Sequence, residues 1–250
     1  MKPPPFEYHA PPSVDEACSL LGSLEDAKVL AGGQSLVPLL NFRLARPQHL
    51  VDINRIGGLD RIYERDGGVA VQALARQAAV EDSDLVARVC PLLSAAVRLV
   101  AHRVIRNRGT VCGSLAHGDP ASELPAVLLA LGGHVIARST RGERAIAAEQ
   151  LFAGVFETTL APGELLIETW FPAFAGPSAI LEESRRHGDF ALAGVVRAGT
   201  RLALFGVGAT PVLADPRDPT HGLQPSGDLE ASPEFRLHLV RVLTEKAFAA

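Results

Sequence analysis

The sequence predicts an α+β protein built from three subdomains along its 250 residues. Three observations point there. The N-terminal segment alternates strand, glycine turn, helix and strand, and the middle of the chain mixes hairpin signals with apolar helices. A break at Pro172-Ala173-Phe174-Ala175-Gly176-Pro177 then precedes an alternating strand pair and a terminal helix.

Each element has a local reason. Ser13-Val14-Asp15-Glu16 reads as a capping box, with Ser13 as N-cap and Glu16 at N3. Val14, Ala17, Leu20 and Leu21 then share a helical face, and Gly22 is placed to stop the helix. Lys28 to Ala31 reads as a buried strand that empties into Gly32-Gly33-Gln34-Ser35, followed by a helix over Leu36 to Ala45. Pro47 closes that unit, and His49 to Ile53 is a second strand. A glycine turn between strand and helix lets backbone N–H groups approach an anion, and a plain tight turn would use the same glycines. The run matches neither GxxxxGK[ST] nor GxGxxG, which excludes a P-loop and a dinucleotide fingerprint.

Further on, Ile62 to Glu64 and Val69 to Ala73 form a hairpin across Asp66-Gly67-Gly68. Glu81-Asp82-Ser83-Asp84 opens a helix that Pro91 stops, and Leu92, Leu93, Ala96, Val97 and Val100 form the apolar face of the next. Leu124 to Leu131 is a short buried helix, while His134 to Arg138 and Leu165 to Phe171 are strand-like. Beyond the break, Phe190 to Arg197 and Thr200 to Val207 form an antiparallel pair around Ala198-Gly199. Residues 213 to 230 are expected to be irregular, and Pro233 to Phe248 helical with proline in the first turn.

Between these elements lies Ile105 to Leu124, a polar, turn-rich stretch read as a firmly held binding loop. It holds Gly109, Gly113, Thr110, Ser114, a His117-Gly118-Asp119-Pro120 turn and Glu123. His102, Arg103, Arg106 and Arg108 beside it either neutralise phosphate or form surface ion pairs. His117 and Asp119 suit an acid–base pair, and a turn-stabilising Asp explains them equally. Cys112 reads as a small buried hydrophobe or as a reactive thiol.

The chain as a whole narrows the classes. A net charge of −4 argues against nucleic acid or an anionic membrane as partner. No window reaches the length of a membrane span, and the N-terminus lacks a secretory h-region, so a cytoplasmic location is expected. Cys18, Cys90 and Cys112 are too scattered for a thiolate-ligated zinc or an iron–sulfur cluster. There is no GxSxG, no HExxH and no hydrolytic triad, hence no catalytic residue and no metal ligand is assigned. Two glycine-rich loops without a catalytic constellation suit a phosphate-bearing cofactor that brings its own reactivity.

At this point a resemblance enters. F-E-Y-H-A-P (Phe6 to Pro11), A-G-G-Q-S-L (Ala31 to Leu36), R-L-A-R-P (Arg43 to Pro47) and L-V-D-I (Leu50 to Ile53) occur in this order. They are followed by I-R-N-R-G-T-V-C-G-S-L-A-H-G-D-P (Ile105 to Pro120), G-E-L-L (Gly163 to Leu166), R-R-H-G-D-F-A (Arg185 to Ala191) and A-L-F-G-V-G (Ala203 to Gly208). With these motifs the chain resembles the FAD-binding medium subunits of molybdenum hydroxylases, the xanthine dehydrogenase and carbon monoxide dehydrogenase group.

The resemblance implies a vanillyl-alcohol-oxidase (PCMH)-type FAD domain. Two α/β subdomains, residues 1–57 and 58–175, would clasp the flavin. A shortened C-terminal α+β domain, residues 176–250, would hold a three-stranded antiparallel sheet and lack a helix. It further implies that Ala31, Gly32, Gly33, Gln34, Ser35 and Leu36 hold the pyrophosphate, and that Thr110, Val111, Cys112, Gly113 and Ser114 make the second contact. Glu123 would meet the ribityl hydroxyls, with His117 and Asp119 lining the same loop and Ala101 also in the binding set. Leu165 or Leu166 would lie near the adenine, and Arg185 or Arg186 near the flavin ring. Electrons would pass from two [2Fe–2S] clusters of a small subunit through FAD to an external acceptor. Substrate chemistry would lie in a large molybdopterin-binding subunit, and the assembly would be a dimer of heterotrimers. The chain departs from the family pattern at Cys112 and Gln72, where glycine is usual. A side chain at Cys112 would crowd the flavin or force the loop away from it.

Overall fold

The computed structural model describes residues 1–249. The first segment contains β1 (Glu7–His9), α1 (Val14–Ser23), β2 (Ala27–Leu30), α2 (Leu36–Asn41) and β3 (His49–Asp52). Its strands form a parallel sheet in the order β1-β3-β2. Ser13 caps α1 as expected, its hydroxyl accepting from Glu16 N at 3.2 Å. Gly22 does not stop the helix, which runs on to Ser23 and is closed by Leu24. The helix expected over Leu36 to Ala45 ends at Asn41, because Arg43 takes a left-handed φ of 59°. The apolar residues beyond it, Phe42 and Leu44, remain exposed and offered no buried face to extend it.

The middle segment contains β4 (Ile62–Arg65), β5 (Gly68–Gln72), α3 (Gln77–Glu81), α4 (Asp84–Val89), α5 (Pro91–Leu99), α6 (Arg103–Arg106), α7 (Val111–His117) and α8 (Glu123–Leu131). It continues with β6 (His134–Ser139), β7 (Gly142–Ala147), α9 (Ala148–Leu151), β8 (Phe152–Gly154), β9 (Glu157–Thr158) and β10 (Leu165–Pro172). Its main sheet runs β4-β5-β10-β6-β7, with β10 antiparallel to both β5 and β6. Asp66 and Gly67 turn the β4–β5 hairpin with φ of 50° and 67°, the left-handed pair a tight hairpin turn requires. Leu92, Leu93, Leu115, Leu124 and Leu128 from α5, α7 and α8 are fully buried and join the residues of β5 and β10 in one core. The edge strand β7 escaped the sequence reading because most of its side chains are solvent-facing and do not alternate.

The last segment contains β11 (Ser178–Glu183), β12 (Ala193–Ala198), β13 (Arg201–Phe205), β14 (Val212–Ala214) and α10 (Pro233–Ala249). The sheet has four strands rather than three, since Val212–Ala214 pairs with β13 within the stretch read as irregular. One face of this sheet, with Val196, Ala203 and Phe205, joins the core that includes α8. The other face, with Val195, Leu202 and Leu204, packs on Leu239, Val240 and Leu243 of α10. Among the described residues no helix is long and apolar enough to cross a membrane.

Candidate cofactor site

The first loop leaves β2 at Leu30, turns at Gly33 with φ of 74° and enters α2. Among the described residues the backbone N–H groups of Gly32, Gly33, Gln34, Ser35 and Leu36 have no acceptor. Ser35 sits at the N-cap of α2 without making a side-chain capping bond. Consecutive unpaired N–H groups at a helix start are a concave donor array for an anion. Beside them is a cavity of about 360 Å³ lined by Gly32, Gly33, Gln34, Asp52, Asn54 and Arg108.

The second loop is more regular than its sequence suggests. Thr110 to Ser114, read as a loop, opens α7, and α6 precedes it. Thr110 is the N-cap, and its hydroxyl accepts from Gly113 N at 3.0 Å. A Cβ at position 113 would lie 2.6 Å from that hydroxyl oxygen, so the cap itself requires glycine. Cys112 turns the other way. Its thiol is buried beneath β5, donates to the Val71 carbonyl at 3.4 Å, and is pushed by burial well above the usual thiol range. The side chain at this departure from the family pattern is thus aimed at the core, by helical geometry, rather than into the loop. Gln72 Oε1 accepts from Arg61 Nε at 3.3 Å.

The two loops touch. A Cβ on Gly32 would collide with the Arg108 carbonyl and lie 2.9 Å from Gly109 Cα, so glycine alone lets the loops close. A hydrogen-bonded clasp holds this contact. Asn54 Nδ2 donates to Ala31 O at 2.8 Å and to Asp52 Oδ1 at 2.6 Å. Arg76 donates to Asn54 Oδ1 and to Arg108 O, both at 2.7 Å. Asn54 and Arg76 did not figure in the sequence reading. Asn54 follows β3 by two residues and Arg76 is the N-cap of α3, and neither position carries a local sequence signal of this contact.

The other expected residues divide into groups. Glu123 opens α8, where desolvation and the nearby charges of Glu182 and Asp119 push its carboxyl up to about 8. Glu182 comes from β11 of the C-terminal sheet. Burial raises it to about 7, and its buried Oε2 has no partner among the described residues. Asp119 Oδ1 accepts from Ala121 N at 2.9 Å, which is the turn-stabilising role. His117 stacks on Phe156 with ring centroids 4.9 Å apart, and burial holds its pKa below the usual histidine range. Ala101 takes a strained φ of 44°, braced by Arg106, which donates to the carbonyls of Val100 and Ala101. Beside Ala101, the His102 ring packs on Gly188 and lies 5.7 Å from the His187 ring, so the loop bearing exposed Arg185 meets this turn. Leu165 and Leu166 begin β10 with both side chains in the core. Of the basic cluster, Arg103 and Arg106 are paired with Glu81 and Asp82, and Arg108 is the member that lines the cavity.

This donor set fits a cofactor diphosphate: unpaired N–H groups, a nearby cation and a glycine contact that admits no side chain. The comparisons with known proteins agree. Residues 4–174 match the family model described as the FAD binding domain in molybdopterin dehydrogenase. The 6-hydroxypseudooxynicotine dehydrogenase complex subunit alpha of Paenarthrobacter nicotinovorans is 41% identical, the match covering 100% of this chain and 95% of that protein. The carbon monoxide dehydrogenase medium chain of Hydrogenophaga pseudoflava is 43% identical over 78% of this chain and 69% of its own length. Among solved structures, carbon monoxide dehydrogenase from Hydrogenophaga pseudoflava superimposes with a TM-score of 0.95 at 35% identity, covering 100% of this chain and 98% of that one. Quinoline 2-oxidoreductase from Pseudomonas putida 86 gives a TM-score of 0.93 at 32% identity over 100% and 97% of the two chains. The chain thus belongs to the FAD-binding medium subunits of the molybdenum hydroxylase family.

Proposed function

We propose that the chain binds FAD across its two glycine loops and serves as the flavin relay of a molybdenum hydroxylase. The observation that carries this reading is the clasped pair of loops. The free N–H groups of Gly32 to Leu36 follow one another at this turn, and Gly32, Gly33 and Gln34 line one cavity together with Arg108. These groups would hold the pyrophosphate, as preorganised donors that need no rearrangement when the anion arrives. Glu123 would accept from ribityl hydroxyls, and the turn at Ala101 with the Arg185 loop would border the ring. A bound flavin supplies the redox chemistry, accepting and releasing electrons one or two at a time. The chain's own task is to hold that cofactor in place and exclude water from it.

In this reading electrons arrive from [2Fe–2S] clusters of a small subunit and leave to an external acceptor. A large molybdopterin-binding subunit performs the substrate chemistry, and the assembly is a cytoplasmic dimer of heterotrimers. The three larger of the four sheets would belong to subdomains 1–57, 58–175 and 176–250. The test is the native complex purified with this chain. It should show a flavin absorption spectrum and release one FAD per copy of the chain on denaturation. Normal turnover of a complex from which no flavin can be recovered overturns the proposal in favour of a structural subunit that has lost the cofactor.

A further inference from the structure

The N-terminal edge of the first sheet holds a group of side chains that the cofactor site does not use. Glu7 and His9 are two residues apart on β1, so both project from the same face. The parallel register places His49 of β3 directly beside Glu7. Across this face His9 Nε2 lies 3.1 Å from His49 Nδ1, and His49 Nδ1 lies 3.5 Å from Glu7 Oε2. All three donor atoms fall within 4.8 Å of one another. Tyr8, between the two β1 residues, points to the opposite face and donates to Asp52 at 2.6 Å.

One hydrogen bond, between His9 Nε2 and His49 Nδ1, accounts for only one of these contacts. His49 Nδ1 faces both an imidazole nitrogen and a carboxylate oxygen. If it carries a proton, that proton serves one of the two neighbours. If it does not, its lone pair confronts the carboxylate. A divalent cation resolves the conflict, because it accepts all three lone pairs at once. The spacing suits one. A tetrahedral ion with bonds of about 2.0–2.1 Å holds its ligands about 3.3–3.4 Å apart, between the two separations given, and the third pair of ligand atoms lies within 4.8 Å.

We propose that Glu7, His9 and His49 form a metal site for zinc or a similar borderline divalent ion, with a fourth position open to water. Two imidazoles and a carboxylate favour that class of ion over magnesium or calcium, which prefer all-oxygen shells. The ligands come from two strands, and β1 pairs with β3 over only three residues. The ion therefore acts as a staple that holds the edge strand to the sheet. The site lies on different residues from the cofactor loops and does not depend on the flavin reading.

The test uses the full chain, stripped with a chelator, equilibrated with micromolar zinc and dialysed. Metal analysis should find one zinc per chain, and cobalt in its place should give the visible bands of a tetrahedral site. His9→Asn and His49→Asn should abolish retention, and Glu7→Gln should weaken it more than about tenfold. Zinc should raise the melting temperature of the wild-type chain and leave that of Glu7→Gln unchanged. The Glu7 side chain is 75% exposed, so this variant folds without difficulty. No stoichiometric zinc in the wild type, or retention in all three variants equal to the wild type's, overturns the proposal.

Discussion

The Arg76 guanidinium donates to the Arg108 carbonyl oxygen at 2.7 Å and, with its other terminal nitrogen, to Asn54 Oδ1 at the same distance. Asn54 in turn holds Ala31 O. One side chain thus fixes the distance between two loops that are far apart in sequence. Arg76→Gln should leave the fold intact and weaken FAD binding about tenfold, the lower end for hydrogen bonds to a charged group at a partly exposed site. Flavin fluorescence titration of the stripped chain measures it. Unchanged affinity would show that the loops hold their spacing without the clasp.

Gly32→Ala should be far more damaging, because its Cβ meets the rigid backbone of Arg108 and Gly109 rather than a movable side chain. We expect recovered FAD to fall at least about a hundredfold at equal chain concentration, the consequence of a shift near an ångström in a preorganised site. Gly22→Ala is the control. It lies inside α1 with nothing within 4 Å of the added carbon, and should stabilise the chain by about 0.5–1 kcal/mol.

Cys112 is buried, as are Cys18 and Cys90, and none is in a disulfide. The native chain should therefore react slowly with a thiol reagent and expose all three thiols only on denaturation. Cys112→Gly should cost about 1–2 kcal/mol from lost burial and helix propensity, measured by urea unfolding. FAD per folded chain should stay the same, since the thiol points beneath β5. Fast labelling of a native thiol, or a large loss of flavin in this variant, contradicts the inward orientation.

Glu123 carries a pH dependence with a definite sign. Its carboxyl is raised from 4.5 to about 8 by burial and by the charges of Glu182 and Asp119. The folded state thus binds this proton more tightly than the unfolded state does. Its contribution to stability is complete below the ordinary glutamate range and is lost as pH rises through about 8. The cofactor-free chain should lose stability between roughly pH 5 and 8, and Glu123→Gln should flatten that slope. Urea midpoints across the range decide it; equal slopes for both proteins would remove Glu123 as the cause.

Much of the architecture was legible locally. The Ser13 cap, the Asp66-Gly67 hairpin turn and the Pro233 helix start follow from backbone chemistry that acts over a few residues. So does the strand–glycine–helix passage through Gly32 and Gly33, where the family motif and the free N–H groups coincide. The ordered set of motifs also identified the family. The edge strands β7 and β14 were not legible, because β7 is mostly solvent-facing and β14 is only three residues long, and an edge strand needs no alternating pattern to be held by its neighbour.

Tertiary structure decided the rest. Sequence placed a thiol in the second loop, and only the helical start at Thr110 aimed it at the core. Of four basic residues in one cluster, the acidic neighbours Glu81 and Asp82 took two and left Arg108 for the cavity. Asn54 with Arg76, Glu123 with Glu182, and Glu7 with His9 and His49 are groups assembled from separate stretches of chain. A single sequence records which groups are present within a turn or a strand. Long-range register decides which of them meet, and it was set here by packing β1 against β3 and the C-terminal sheet against α8.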